Sequence, residues 1–228
     1  MKNLTIITIA KDVDDSLSTT YKSISNLLEK GANWLVVLSQ KSKNADYLHK
    51  SNLILGKDKS LYNALNIGLD KCQTEWFIFL HSGDSIIDIK TFLSCFELVR
   101  LNEIDLILGG QKIGDRVHLS SKWKPWMFSI SVQPPHLPII YRTSFVGSTR
   151  FSEKIPVVAD FYMLRELFLK KPKFIHTKKI YISMETGGLT SSGFSSIVRV
   201  TKSFLKQEGF FKTILKTPLR IFFKILLK

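Results

Sequence analysis

Apolar residues come in short unbroken runs at residues 4–10, 34–38, 53–55, 76–80 and 106–108. Runs without polar alternation mark strands covered on both faces. Between them the apolar spacing changes to three and four. Residues 16–29 show it through Leu17, Tyr21, Ile24 and Leu28, residues 61–71 through Leu61, Ala64, Leu65 and Leu69, and residues 89–101 continue the pattern. Strand and helix therefore alternate as βαβαβ. This predicts an α/β fold with a mostly parallel central sheet, flanked by helices and joined by right-handed crossovers.

After Gly110 the alternation loosens. The run SSKWKPWMFSISVQPPHLPIIYRTSF contains Pro134, Pro135 and Pro138, which exclude a helix there, while residues 139–142 read as a short strand. Substrate specificity is expected to lie within residues 111–150. An amphipathic helix follows over residues 158–169, with Asp160 in its first turn, and residues 180–184 read as a further strand. No repeat or low-complexity linker interrupts the chain, so residues 1–193 form one expected domain and residues 194–228 a helical tail.

The tail changes the picture because it holds eight Lys or Arg and one acid, in a chain whose 33 basic and 19 acidic residues give a formal net charge of +14. Half the excess positive charge lies there. Lys212, Lys216, Arg220, Lys224 and Lys228 recur every fourth residue among Phe and aliphatic residues, and Gly209 and Pro218 suggest two short helices rather than one. An apolar side this wide beside regular cations suits a helix lying in a membrane interface, with its cations at anionic headgroups. Packing on the domain is the rival reading. Nucleic acid is disfavoured, because the cations are interleaved with large aliphatics rather than gathered in a polar stripe.

A composition of 44% hydrophobic and 23% charged residues excludes a disordered chain. Cys72 and Cys95 have no His or Cys at metal-ligand spacing and read as buried thiols of a reducing compartment. The first apolar run is too short for a secretory leader, and no stretch reaches the roughly 18 apolar residues of a membrane span. The expected location is cytoplasmic, peripheral on the inner face of the membrane.

Candidate chemistry centres on residues 76–85, WFIFLHSGDS, where an apolar strand ends in a small loop carrying Asp84. An open α/β sheet binds ligands at the carboxyl ends of its strands. The same residues would also make an ordinary turn. The surrounding run separates the two readings. Residues 56–84, GKDKSLYNALNIGLDKCQTEWFIFLHSGD, resemble the stretch of the family 2 glycosyltransferases of the GT-A fold in which D-x-G-I/L-Y-D/N-A-L/M-N-x-G precedes a strand and an acidic loop. The likeness is to bacterial enzymes of surface-polysaccharide synthesis and extends over about residues 3–190.

The resemblance implies a metal-dependent, inverting transfer of sugar from a nucleoside diphosphate to a glycan or lipid-linked acceptor. Asp84 would hold Mg²⁺ or Mn²⁺, which stabilises the departing diphosphate. Only one carboxylate remains where the family shows D-x-D or S-x-D, so water and phosphate would fill the other positions. IPVVADFYMLREL, residues 155–167, is similar to the family's A-D-Y/F-x-L/M segment and makes Asp160 the catalytic base, although an acid in a helix's first turn is also favoured by the dipole and by capping. Nucleotide contacts are expected from Ala10, Asp12, Asp58, Asn63, Asn66, Ser82 and Gly83. Asn66 has capping or packing as its alternative. METGGLTSSG, residues 184–193, resembles a late G-G-I/V/L-S/T turn and adds Gly187 and Gly188, with Thr190, at the donor pocket. His136 lies where related enzymes have H-Q, and a structural histidine is the equal alternative.

One departure concerns the base. After the second strand the family carries D-G/D-x-S-x-D, whereas this chain reads LSQKSKNAD, with Ser39 or Gln40 in place of the base-reading acid. The family's usual UDP-sugar is therefore the expected donor with its base contact missing. A membrane-associated nucleotide-sugar-binding protein without catalysis is the alternative. A nucleotidyltransferase would show a Gly-rich basic loop after the first strand, where this chain has AKDVDDS.

Overall fold

The structure, a computed structural model, describes residues 1–39, 46–56, 60–101, 103–155, 157–185 and 194–226. Its first half is a parallel sheet. β1 (Leu4–Ala10), β2 (Asn33–Leu38), β3 (Asn52–Leu55) and β4 (Trp76–Phe79) lie in the order β3-β2-β1-β4. α1 (Asp15–Glu29) joins β1 to β2 and α2 (Leu61–Lys71) joins β3 to β4. Both open on side-chain caps: Asp14 accepts from Leu17 N, and Ser60 from Asn63 N. All seven residues of β1 are buried. α2 packs so closely on the sheet that a Cβ at Gly68 would fall 2.5 Å from Ile7 Cγ2, an approach only glycine allows.

β3 departs from the burial expected of an unbroken apolar run, since Leu53 and Leu55 are exposed. It is the outermost strand, and α2 packs over β1 and β2 rather than over this edge.

The second half of the sheet is mixed. β8 (Ile139–Arg142) runs antiparallel to β4, β6 (Leu106–Ile113) antiparallel to β8, and β9 (Phe174–Met184) parallel to β6. β5 (Ser85–Ile86) pairs antiparallel with β9, and β7 (Arg116–Leu119) folds back on β6. β5 is too short to leave a periodic signal, and β7 carries no buried apolar run. β9 begins six positions before the expected strand at 180–184, because its first half carries His176, Lys178 and Lys179 among its apolar residues. α3 (Ile89–Leu101) packs on β9, and α4 (Thr143–Val146) follows β8. Between β7 and β8 the proline-rich segment forms two 3₁₀ turns around buried Trp123, whose indole N–H donates to Val132 O at 3.1 Å. α5 (Ala159–Leu169) precedes β9.

The tail forms α6 (Phe194–Glu208) and α7 (Phe210–Leu226). The chain breaks at Gly209, whose φ of +83° favours glycine. Pro218, by contrast, lies inside α7 and does not divide it; proline costs the helix one hydrogen bond, which need not end it when the rest of the turn is held. Phe204 of α6 is buried with its ring 5.1 Å from that of Phe161 on α5. Arg220 of α7 is also buried, stacked over Phe204 and donating to Thr201 Oγ1 at 2.7 Å, and Lys216 pairs with Glu208 at 2.7 Å. These two cations of the every-fourth-residue stripe therefore face the protein. Phe211, Ile214, Leu215, Leu219 and Phe222 face outward.

Candidate functional site

β4 ends at Phe79, and the chain turns through His81, Ser82 and Gly83 to Asp84. The turn is held from below. Ser82 N donates to Ile9 O at 3.1 Å and Gly83 N to Thr20 Oγ1 at 3.0 Å, while the same Thr20 hydroxyl lies 2.9 Å from Asp84 O. Asp84 is 4% exposed, its Oδ2 accepting from His81 N at 3.2 Å and its Oδ1 from Glu185 N at 3.1 Å. Burial pushes its carboxyl up to about 7; the two N–H donors oppose this and the Glu185 charge adds to it.

Each Asp84 oxygen accepts one of these backbone N–H groups, and a carboxylate oxygen has a second lone-pair direction to offer. A carboxylate of this kind suits a hard divalent cation. The loop also offers room: Gly83 has φ +92°, and a Cβ there would fall 2.8 Å from Glu185 Cδ, so the absent side chain leaves a cradle occupied by a second acid. Among the described residues no group of three or more His, Cys, Asp or Glu side chains is placed to hold a metal.

Asp160 lies in the first turn of α5, whose N-cap, Val158, makes no side-chain capping bond. The Tyr62 phenol oxygen instead faces the backbone N–H groups of Ala159 and Asp160. The Asp160 carboxylate is turned elsewhere. Its Oδ2 accepts from Gln133 Nε2 at 2.6 Å, and His136 Nδ1 stands 3.7 Å from the same oxygen. Burial lowers the His136 pKa, against the raising effect of Asp160, so this is a neutral imidazole beside a carboxylate and not an ion pair. His81 is lowered to about 3 by burial and then by His136, and its Nδ1 is buried with no hydrogen-bond partner among the described residues. The His81 and His136 rings lie 6.1 Å apart, which brings the Asp84 loop next to the Asp160 cluster.

No protein-family model matches the chain, and no curated protein matches it. Solved structures do match. Glucosyl-3-phosphoglycerate synthase from Mycobacterium tuberculosis, crystallised with Mn²⁺, UDP and glucosyl-3-phosphoglycerate, superposes with a TM-score of 0.63 at 14% identity, covering 92% of this chain and 81% of that one. The mannosyltransferase PcManGT from Pyrobaculum calidifontis, in complex with GDP-Man and Mn²⁺, gives 0.63 at 11% identity over 95% and 68%. S. aureus TarS 1–349 in complex with UDP gives 0.62 at 16% identity over 89% of this chain, which spans 65% of that one. The chain has the GT-A glycosyltransferase fold.

Within this GT-A fold the predicted residues divide. Ala10 closes β1, with Asp12 just beyond it and Ser39 following β2, where Ser39 N donates to Ala10 O at 3.1 Å. Asp12 Oδ1 accepts from Val13 N at 2.7 Å. Ser82, Gly83 and Asp84 share one turn. Asn66 is used inside the fold: its Nδ2 donates to Phe151 O and its Oδ1 accepts from Phe151 N, both at 2.9 Å. Asn63 Nδ2 donates to Glu153 Oε1 at 3.0 Å. Here both amides tie α2 to the segment leading into α5, the packing alternative weighed for Asn66. Asp58, Gln40, Gly187, Gly188 and Thr190 lie outside the described residues.

Sequence reasoning missed Thr20, Gln133, Tyr62 and Glu185 as site residues. Thr20 and Gln133 have no local signal, since each acts on a segment distant in the chain. Tyr62 lay inside the recognised run, and Glu185 directly preceded the recognised glycine turn.

Proposed function

We propose that the chain transfers a sugar from a nucleoside-diphosphate donor to an acceptor hydroxyl, with inversion at the anomeric carbon. The acceptor class is a polysaccharide or lipid-linked glycan of the cell surface. The observation that carries the reading is the meeting of two acidic sites from separate segments, marked by His81 and His136 at 6.1 Å. In this reading the acid at the carboxyl end of β4 would serve the donor's diphosphate and the other the acceptor.

Asp84 would hold a divalent cation of the Mg²⁺ or Mn²⁺ kind, which when bound offsets the charge that builds on a leaving diphosphate. Asp160 takes the acceptor proton as that oxygen attacks the anomeric carbon and the carbon–oxygen bond to the diphosphate breaks. Gln133 fixes Oδ2, so Oδ1 is the oxygen left to receive the proton. The complexes of similar proteins with UDP or GDP-Man support a nucleotide-sugar donor and leave its base open.

The outward face of α7 supports peripheral membrane binding on the inner leaflet. Phe211 is 81% and Leu215 74% exposed, a row of large apolar groups that water disfavours and an acyl boundary accepts. No helix of the described residues is long and apolar enough to cross a membrane.

The test is release of nucleoside diphosphate, and transfer, by the full chain from a panel of UDP- and GDP-sugars with and without Mn²⁺. Asp160→Asn is expected to keep donor binding and lose transfer by about 10²- to 10⁴-fold. Near-normal transfer would remove Asp160 from the base role. Donor binding by the unaltered chain without release or transfer would identify a non-catalytic nucleotide-sugar-binding protein.

A further inference from the structure

The geometry points to Glu185 as the second protein carboxylate of the cation site, in place of the acid missing from the 81–84 loop. This rests on the reading of Asp84 as a cation ligand. The placement follows from strand register. β5 and β9 pair antiparallel with Ser85 opposite Ser183, and continuing that register past the end of β5 sets Gly83 opposite Glu185. Glu185 N donates to Asp84 Oδ1 at 3.1 Å, which fixes its backbone beside the acid.

Its side chain then folds inward. Glu185 is an exposed residue, and an exposed glutamate usually keeps its rotamer freedom and extends into water. Here the carboxylate lies against the bare face of Gly83, where a Cβ would fall 2.8 Å from Glu185 Cδ and 3.1 Å from its Cβ. Any other residue at position 83 would push this carboxylate away. Glycine thus serves two needs at once, the backbone turn at φ +92° and the space for the second acid.

The pair is also electrostatically unfinished. Two carboxylates, one from the loop after β4 and one just past the end of β9, share one corner of the sheet, and among the described residues neither forms an ion pair with Lys, Arg or His. Like charges so placed repel, and a divalent cation between them removes the repulsion while gaining two oxygen ligands. One acid comes from the loop after β4 and the other from the end of β9, so the site resembles a D-x-D pair in chemistry and differs from it in chain origin.

The experiment is a titration of the full chain with Mn²⁺ alone at pH 8, reading free Mn²⁺ by electron paramagnetic resonance, with thermal melting as a check on folding. Glu185→Gln is expected to melt as the unaltered chain does and to bind Mn²⁺ about tenfold or more weakly, and Asp84→Asn to lose binding. If Asp84→Asn loses binding while Glu185→Gln binds as before, the Glu185 assignment is overturned and the cation reading of Asp84 stands. If the unaltered chain binds no Mn²⁺, both fall.

Discussion

Gln133 Nε2 donates a 2.6 Å hydrogen bond to Asp160 Oδ2, joining the proline-rich segment to the first turn of α5. In the proposed reaction the bond would leave Oδ1 as the carboxylate oxygen that meets the acceptor. Gln133→Leu should therefore lower transfer by about 10- to 100-fold through misplacement of the base, with donor binding unchanged. The check is kcat for transfer set against donor affinity measured by calorimetry. An equal loss of donor affinity would place Gln133 in the donor pocket instead.

Asp84 makes the metal-free protein sensitive to pH. Its folded pKa is raised from 3.8 to about 7, so the folded state holds the proton more tightly than the unfolded chain does. The contribution is thus favourable below the unfolded value and is lost as pH rises through the folded one. Between about pH 4 and pH 7 the metal-free chain should lose on the order of 2–4 kcal/mol through this group. Asp84→Asn, though it leaves one backbone N–H poorly matched at every pH, should flatten that slope. Urea unfolding at pH 5 and pH 8 in the presence of a chelator checks it; parallel slopes in the two proteins would contradict the assignment.

Thr20 supports the acidic loop from inside α1. Its hydroxyl accepts from Gly83 N and lies within hydrogen-bond distance of Asp84 O, all in a fully buried position. Thr20→Val keeps the shape and takes this hydroxyl donor from Asp84 O, while Gly83 N retains Ser16 O at 3.1 Å, at a cost of about 1–3 kcal/mol. Denaturant midpoints measure the loss, and amide hydrogen exchange at residues 82–84 should quicken relative to β1.

The tail can be tested without truncation. Removing residues 208–228 would also delete Glu208, which pairs with Lys216 and approaches the Tyr162 hydroxyl at 3.5 Å. The double variant Phe211→Glu, Leu215→Glu changes only outward positions. It should leave the melting temperature unchanged and abolish co-sedimentation with vesicles containing anionic lipid, since each acid opposes both insertion and headgroup attraction. Undiminished vesicle binding would rule out the outward face of α7 as the contact.

Much of this was legible in the chain. The unbroken runs at 4–10, 34–38 and 76–80 became β1, β2 and β4, and the helices at 61–71 and 89–101 have the expected bounds, because buried parallel strands and their crossovers carry strong local periodicity. β5 and β7 were not legible, since β5 has two residues and β7, Arg116–Leu119, carries no apolar run and is not buried. The tail was half legible. Two helices were expected and occur, but the direction of their faces was not, since it depends on Phe204 meeting Phe161 and on Arg220 stacking over Phe204.

The residues between Gly56 and Asp84 determined by themselves that an acidic loop would close a buried strand, because local patterning and turn chemistry act within a few positions of the chain. Only the tertiary structure decided what surrounds that acid. Glu185 reaches Gly83 through strand register, Thr20 through a helix packed beneath the loop, and Gln133 and His136 reach Asp160 from the segment that precedes β8. Such contacts join positions far apart in the chain, and only the folded packing brings them within hydrogen-bond range.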